Sequence, residues 1–218
     1  MLKQITLACY AQGHANQFIN SDTWAVSELY CSMLKSFDTG KVEKVNVNIR
    51  DEWGDFLGYY QNHASVVTIR NHFDFGSYST LNKREKKLMQ LEAVHAGMMQ
   101  VAWKEGWNTD SLLDAYNQCL EKDLKYQFSV GRPKSSPNRI YKIGFWCNWD
   151  LDIFELYWIL SNKQDTEIKR EKFITKHPSV GEFVYYLSWK WTSYTSVILE
   201  DKYGTNESWT TEFGDEIA

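Results

Sequence analysis

Apolar and polar residues alternate one for one in KVNVNIR, residues 44–50, where Val45, Val47 and Ile49 fall between Lys44, Asn46, Asn48 and Arg50. Side chains along a strand point to opposite faces in turn, so this run predicts a strand with one buried face. KQITLAC (residues 3–9) predicts an earlier strand. ASVVTIRNHFDF predicts a later one, following the Gly- and aromatic-containing loop EWGDFLGYYQN. Between the first two strands the period lengthens. In DTWAVSELYCSMLKSF, Trp24, Leu29, Met33 and Phe37 recur at near-helical spacing, with Asp22 placed as an N-cap.

The strongest helix signal begins at Asn82. Asn82 and Glu85 make a capping-box start, each side chain able to satisfy the other's free backbone donor. Leu81, Leu88, His95 and Ala102 then recur every seven residues, joined by Leu91 and Met98, as one apolar stripe. Gly106 supplies a C-terminal cap, and Asn108 or Thr109 starts a second helix predicted to run to about Tyr126. So short a link predicts an αα-hairpin.

Beyond it, SVGRPKSSPNR reads as a loop holding two of the three prolines. RIYKIGFWCNWD, DIFELYWILSN and TEIKREKFITKH are strand-length, aromatic and β-branched, and separated by short polar turns, which predicts an antiparallel meander. SVGEFVYYLSWKW (residues 179–191) fits a helix or a strand. TSYTSVILEDK predicts a last strand before the acidic tail ESWTTEFGDEIA, which Trp209 and Phe213 can tie down. The expected fold class is α+β: mainly antiparallel sheet with an αα-hairpin packed on it and a C-terminal meander. With no repeat, low-complexity tract or linker, a single domain over residues 1–218 is expected.

Composition sharpens this picture. Ten Trp, thirteen Tyr and eleven Phe in 218 residues favour a sheet-rich fold. A net charge of −4 argues against a general nucleic-acid binder, and suits a cationic protein partner. Cys9, Cys31, Cys119 and Cys147 lack C-x-x-C spacing and sit in apolar contexts, which reads as four reduced, buried thiols. The apolar run Ile5 to Ala8 is too short for a secretion signal, and no stretch approaches the ~20 apolar residues of a membrane span. A cytoplasmic location without membrane attachment is expected.

Candidate chemistry is sparse. Glu92 and His95 have the Glu-x-x-His spacing of carboxylate-bridged di-metal bundles, but no second such pair exists and the site would be half complete. His95 therefore reads as a packing residue, and neither metal nor cofactor is expected. Nucleophile-elbow, phosphate-loop and dinucleotide-binding motifs are absent from the sequence. His72 beside Asp74 has the make-up of a base with its orienter, and Arg132, Lys134 and Arg139 that of a phosphate cradle, but adjacent strand-end polar residues are commonplace and a basic loop in an acidic protein reads first as a solvated one. The better lead is CNWDLDIFELYW. There Trp149, Asp150 and Asp152 fall at a turn between two strands, with Glu155 on the second. An exposed Trp among carboxylates suits a basic protein surface, aromatic as anchor and charges steering encounter. The competing reading folds Trp149 into the core.

The run LNKREKKLMQLEAVHAGMMQVAWKEGWNTDSLLDAYNQCLEKDLKY, then RPKSSPNR and an aromatic antiparallel sheet, resembles in layout small bacterial proteins that are immunity partners of secreted toxins. The resemblance spans about residues 70–200 and carries over no functional residue. It implies an intracellular protein that neutralises a toxin domain by direct binding, without catalysis of its own. An enzyme of hydrolase type using His72 or His95 is the alternative.

Overall fold

The computed structural model describes residues 2–9, 22, 24–34, 37–51, 59–202 and 207–214. The fold is α+β, and the chain gathers into two compact units. One comprises residues 1–126 with 150–152; the other comprises 127–149 with 153–218.

In the first unit, β1 (Gln4–Cys9), β2 (Lys44–Arg50) and β4 (Val66–His72) pair in parallel, and β3 (Tyr60–His63) closes the order β1-β2-β4-β3 antiparallel to β4. Three parallel strands are a departure within an otherwise antiparallel protein. The helix α1 (Trp24–Met33) crosses from β1 to β2, as a parallel pair requires. Asp22 is itself already helical, so the cap of this helix falls outside the described residues. Two elements of the first unit were not predicted. β3 forms a tight hairpin with β4 through Ala64, held at φ 56. α2 (Phe75–Thr80) follows β4 and is capped by Asp74.

The αα-hairpin is present as α3 (Lys83–Glu105) and α4 (Asp110–Glu121). Asn82 and Glu85 form the reciprocal capping box, and Gly106 ends α3 in the left-handed region at φ 71. α4 stops earlier than predicted, because Asp123 and Leu124 take positive φ and turn the chain into the next strand. The buried stripe of α3 includes Lys87, Gln90, Leu91, Val94, Gly97, Met98 and Val101, with Leu88 and His95 on its shoulder. Gly97 marks where this helix meets the sheet. A Cβ there would lie 2.6 Å from a Val47 methyl and 2.9 Å from Ile69, so only glycine permits the approach.

The second unit holds two antiparallel sheets. The larger has the order β5 (Tyr126–Ser135), β6 (Tyr141–Trp149), β7 (Phe154–Asn162), β8 (Glu167–Lys176); the predicted meander supplies its last three strands. Most of SVGRPKSSPNR is not loop but the outer strand β5. Pro133 cannot donate to a ladder, and an edge strand is where a sheet tolerates it. Residues 178–191 contain both expected conformations in succession, a 3-10 segment (Pro178–Tyr186) and then β9 (Leu187–Trp191). β9, β10 (Ser196–Asp201) and β11 (Ser208–Glu212) make the second sheet. Within the tail, Ser208–Glu212 form β11 and Phe213 is 1% exposed. Edge-to-face aromatic pairs join the two sheets: Phe145 with Trp189 and Trp158 with Phe213, each at 5.1 Å between centroids.

All four cysteines are free thiols. Cys9, Cys119 and Cys147 are buried and Cys31 is half-buried. No helix of the described residues is long and apolar enough to cross a membrane.

Candidate functional site

The acidic turn lies between β6 and β7, and parity along β6 decides which way its side chains go. Ile143, Phe145, Cys147 and Trp149 share the inward face of β6. Trp149 is therefore core, at 1% exposed, and its indole N–H donates to the Pro178 carbonyl at 3.1 Å. The ring lies so close to the 3-10 segment that a Cβ on Gly181 would come within 2.3 Å of it. Of the two sequence readings of Trp149, the structure has the second, and the turn presents no tryptophan.

The turn's carboxylates are already ion-paired. Asp150 meets Lys87 at 2.6 Å and Lys83 at 2.9 Å, and also accepts the Leu151 N–H at 2.7 Å. Burial alone would raise its carboxyl, but the two lysines hold it below the usual carboxylate range. Lys87 needs this partner: its side chain is only 9% exposed, and its other hydrogen bond goes to the Leu124 carbonyl. Asp152 is exposed and pairs with Lys83 at 2.6 Å.

Glu155 belongs to a different surface, the outward face of β6–β8. There Asn148 lies opposite Glu155, and Trp146 opposite Tyr157. Gln127 donates to Asn148, and Asn148, Lys172 and Tyr157 all donate to Glu155, at 3.0–3.2 Å. These donors outweigh burial and hold the Glu155 carboxyl below its ordinary value. Trp146 meets Tyr157 edge-to-face at 5.4 Å, and the Arg170 guanidinium lies 5.0 Å over the Trp146 ring. Of the four residues expected at the partner surface, then, Asp150 and Asp152 share one ion-pair cluster, Glu155 sits in a second network, and Trp149 is in neither. Trp146, Tyr157, Asn148 and Lys172 were not singled out from the sequence. Strand parity was the signal that could have found them, since Trp146 and Asn148 alternate with the core residues of β6.

The histidines divide similarly. His95 Nδ1 lies 2.9 Å from the Tyr30 hydroxyl, which also donates to the Leu112 carbonyl at 3.1 Å. The His95 ring packs 4.7 Å from that of Tyr116, and burial lowers its pKa. His72 stands at the end of β4. Its neighbour Asp74 accepts both the N–H and the hydroxyl of Ser77 to cap α2, and these bonds keep that carboxyl below its usual range. Lys134 donates to the Trp189 carbonyl at 2.6 Å, so it is fixed to β9 rather than turned toward a ligand with Arg132 and Arg139. Among the described residues, no group of three or more His, Cys, Asp and Glu is placed to hold a metal ion.

A cleft of about 580 Å³ opens in the first unit beside β4 and α3. Its lining includes Arg70, His72, Asp74 and Glu92, so Glu92 and His72 border one space. Comparison with protein families, with curated proteins and with solved structures finds no match for this chain.

Proposed function

We propose that this chain is a non-enzymatic intracellular protein that binds another protein, in the manner of the immunity partners of secreted bacterial toxins, and neutralises a toxin domain by direct contact. The observation that carries the reading is the outward face of β6–β8. Trp, Tyr and Arg are the residue types that dominate binding energy at protein interfaces, and Trp146, Tyr157 and Arg170 lie together there. Their neighbours Gln127, Asn148, Glu155 and Lys172 hold one another in place before any partner arrives. A surface already ordered loses less side-chain entropy on association, which favours affinity. Trp146 takes the anchor role that the sequence suggested for Trp149. The net charge of −4, with Asp152 and Glu155 among its contributors, favours encounter with a basic domain.

The test is to express each protein encoded beside this chain and, where one is toxic, to co-express the chain with it. Trp146→Ala combined with Glu155→Gln is expected to weaken protection while circular dichroism shows the fold retained. Unchanged protection in the folded double variant removes this face from the interface. A chain with no toxic neighbour to neutralise refutes the reading as a whole.

A further inference from the structure

The cleft beside β4 and the most exposed large apolar side chain of the described residues lie on one helix, away from the sheet face of the second unit. Trp103 of α3 is 76% exposed. The cleft floor is an earlier part of the same helix, walled by Asn71 of β4 and Phe73 just beyond it. Ala93 and Ala96 end at Cβ, so nothing fills the floor between them and the wall. The space, about 580 Å³, has ample room for an indole. A hydrogen bond of 2.8 Å from Gln100 to Asn71 ties floor to wall. Ten positions separate Ala93 from Trp103, about 15 Å of helix, so the indole cannot fill the cleft of its own chain.

A second copy can fill it. Met89, Ala93, Ala96, Gln100 and Trp103 follow at spacings of four, three, four and three, the pattern of a helix seam that packs on another helix. This face lies opposite Met98, which is 0% exposed on the core side of α3. Its contents are also symmetric about Met98. Trp103 lies five positions on and Ala93 five back, Lys104 six on and Glu92 six back, Gln100 two on and Ala96 two back. Two such helices packed antiparallel about a two-fold axis level with Met98 bring each position against its counterpart in the other chain. Trp103 of each copy then enters the other's cleft beside Ala93, and Lys104 of each meets Glu92 of the other. Glu92 and Lys104 are both exposed, and neither meets an opposite charge among the described residues. We infer that α3 is a homodimerisation surface, along which two chains pair antiparallel and exchange Trp103 between their clefts. Tryptophan is the anchor type of protein interfaces, and the charge pairs fix the register. One helix face is small for an interface, so dimers are expected above about 10 μM chain and separate on dilution, returning Trp103 to solvent.

Sedimentation equilibrium of the full chain between about 1 and 300 μM is expected to show a reversible monomer–dimer equilibrium. Trp103→Ala, at an exposed position, is expected to weaken dimerisation at least about tenfold, as loss of an anchor does. Charge reversal tests the pairing itself. Glu92→Lys sets lysine against lysine at both ends of the contact, and Lys104→Glu sets glutamate against glutamate. Each variant alone, its fold checked by circular dichroism, is expected to sediment as a monomer. An equimolar mixture of the two restores opposite charges at both ends and is expected to form heterodimers. The inference is overturned if the wild-type chain stays monomeric to about 300 μM. It is equally overturned if Trp103→Ala or either single reversal dimerises as the wild type does, or if the two reversed variants fail to pair with each other.

Discussion

A single carboxylate shows how misleading residue type can be without its surroundings. Asp150 was legible in the sequence as an acidic turn residue, and charge reversal there would look like a harmless surface change. Its partner Lys87 could not be read from the chain, because it lies more than sixty positions away on the buried stripe of α3. Removing one member of a buried pair leaves the other without a counter-charge, which typically costs about 3–5 kcal/mol. Asp150→Asn is expected to destabilise by about 3 kcal/mol, whereas Asp152→Asn, at an exposed pair, should stay within about 1 kcal/mol. Urea denaturation of the two variants beside the wild type measures both. The pH dependence has a definite sign. The Asp150 carboxyl is depressed in the folded state, so its contribution is complete above the ordinary Asp value of about 3.9 and is lost as pH falls through the folded value. The gap between wild type and Asp150→Asn should therefore narrow in acid, and a gap that stays constant would show that the pair is not the cause. Trp149 carries the complementary lesson. The alternation of β6 places it on the core side with Phe145 and Cys147, so its burial was available in the sequence once strand parity was followed to the end of the strand.

Among the elements, those specified by local chemistry were the most legible. The start and end of α3 follow from Asn82, Glu85 and Gly106, three residues whose action stays within one helical turn. Asn82→Ala should accordingly cost about 1 kcal/mol, and Asn82→Asp should cost little, since aspartate caps equally well. Thermal or urea melts distinguish them, and equal losses would mean that the cap is not what Asn82 contributes. Elements decided by tertiary context were less legible. SVGRPKSSPNR has the prolines of a loop, yet most of it becomes β5 because the edge of a sheet accepts a residue with no N–H. β3 spans four residues and α2 six, too few for either periodicity to declare itself. Parallel pairing of β1, β2 and β4 is likewise invisible locally, since alternation says that a strand has two faces but not which way its neighbour runs.

At the scale of the whole molecule, the aromatic excess finds its explanation in the second unit, where tryptophans and phenylalanines from both sheets interlock edge to face. This has an optical consequence. Six of the ten tryptophans (146, 149, 158, 189, 191 and 209) belong to that unit, and Trp149, Trp158 and Trp189 are buried in it. Trp103 of the first unit is the opposite case: it is 76% exposed, with the Lys104 ammonium 4.5 Å from its ring. Emission from the buried indoles should be blue-shifted and shielded from solutes, whereas Trp103 should emit to the red, with a cation alongside to attract iodide. Low iodide is expected to remove a minor red component and leave the blue one. In Trp103→Phe most of the iodide-sensitive intensity should vanish; if it persists, another indole is the accessible one. Among the described tryptophans, Trp103 and the buried indoles are thus the two extremes of one spectrum, a dye-like reporter on one helix and shielded lamps inside the aromatic core, and a quencher tells them apart without any label.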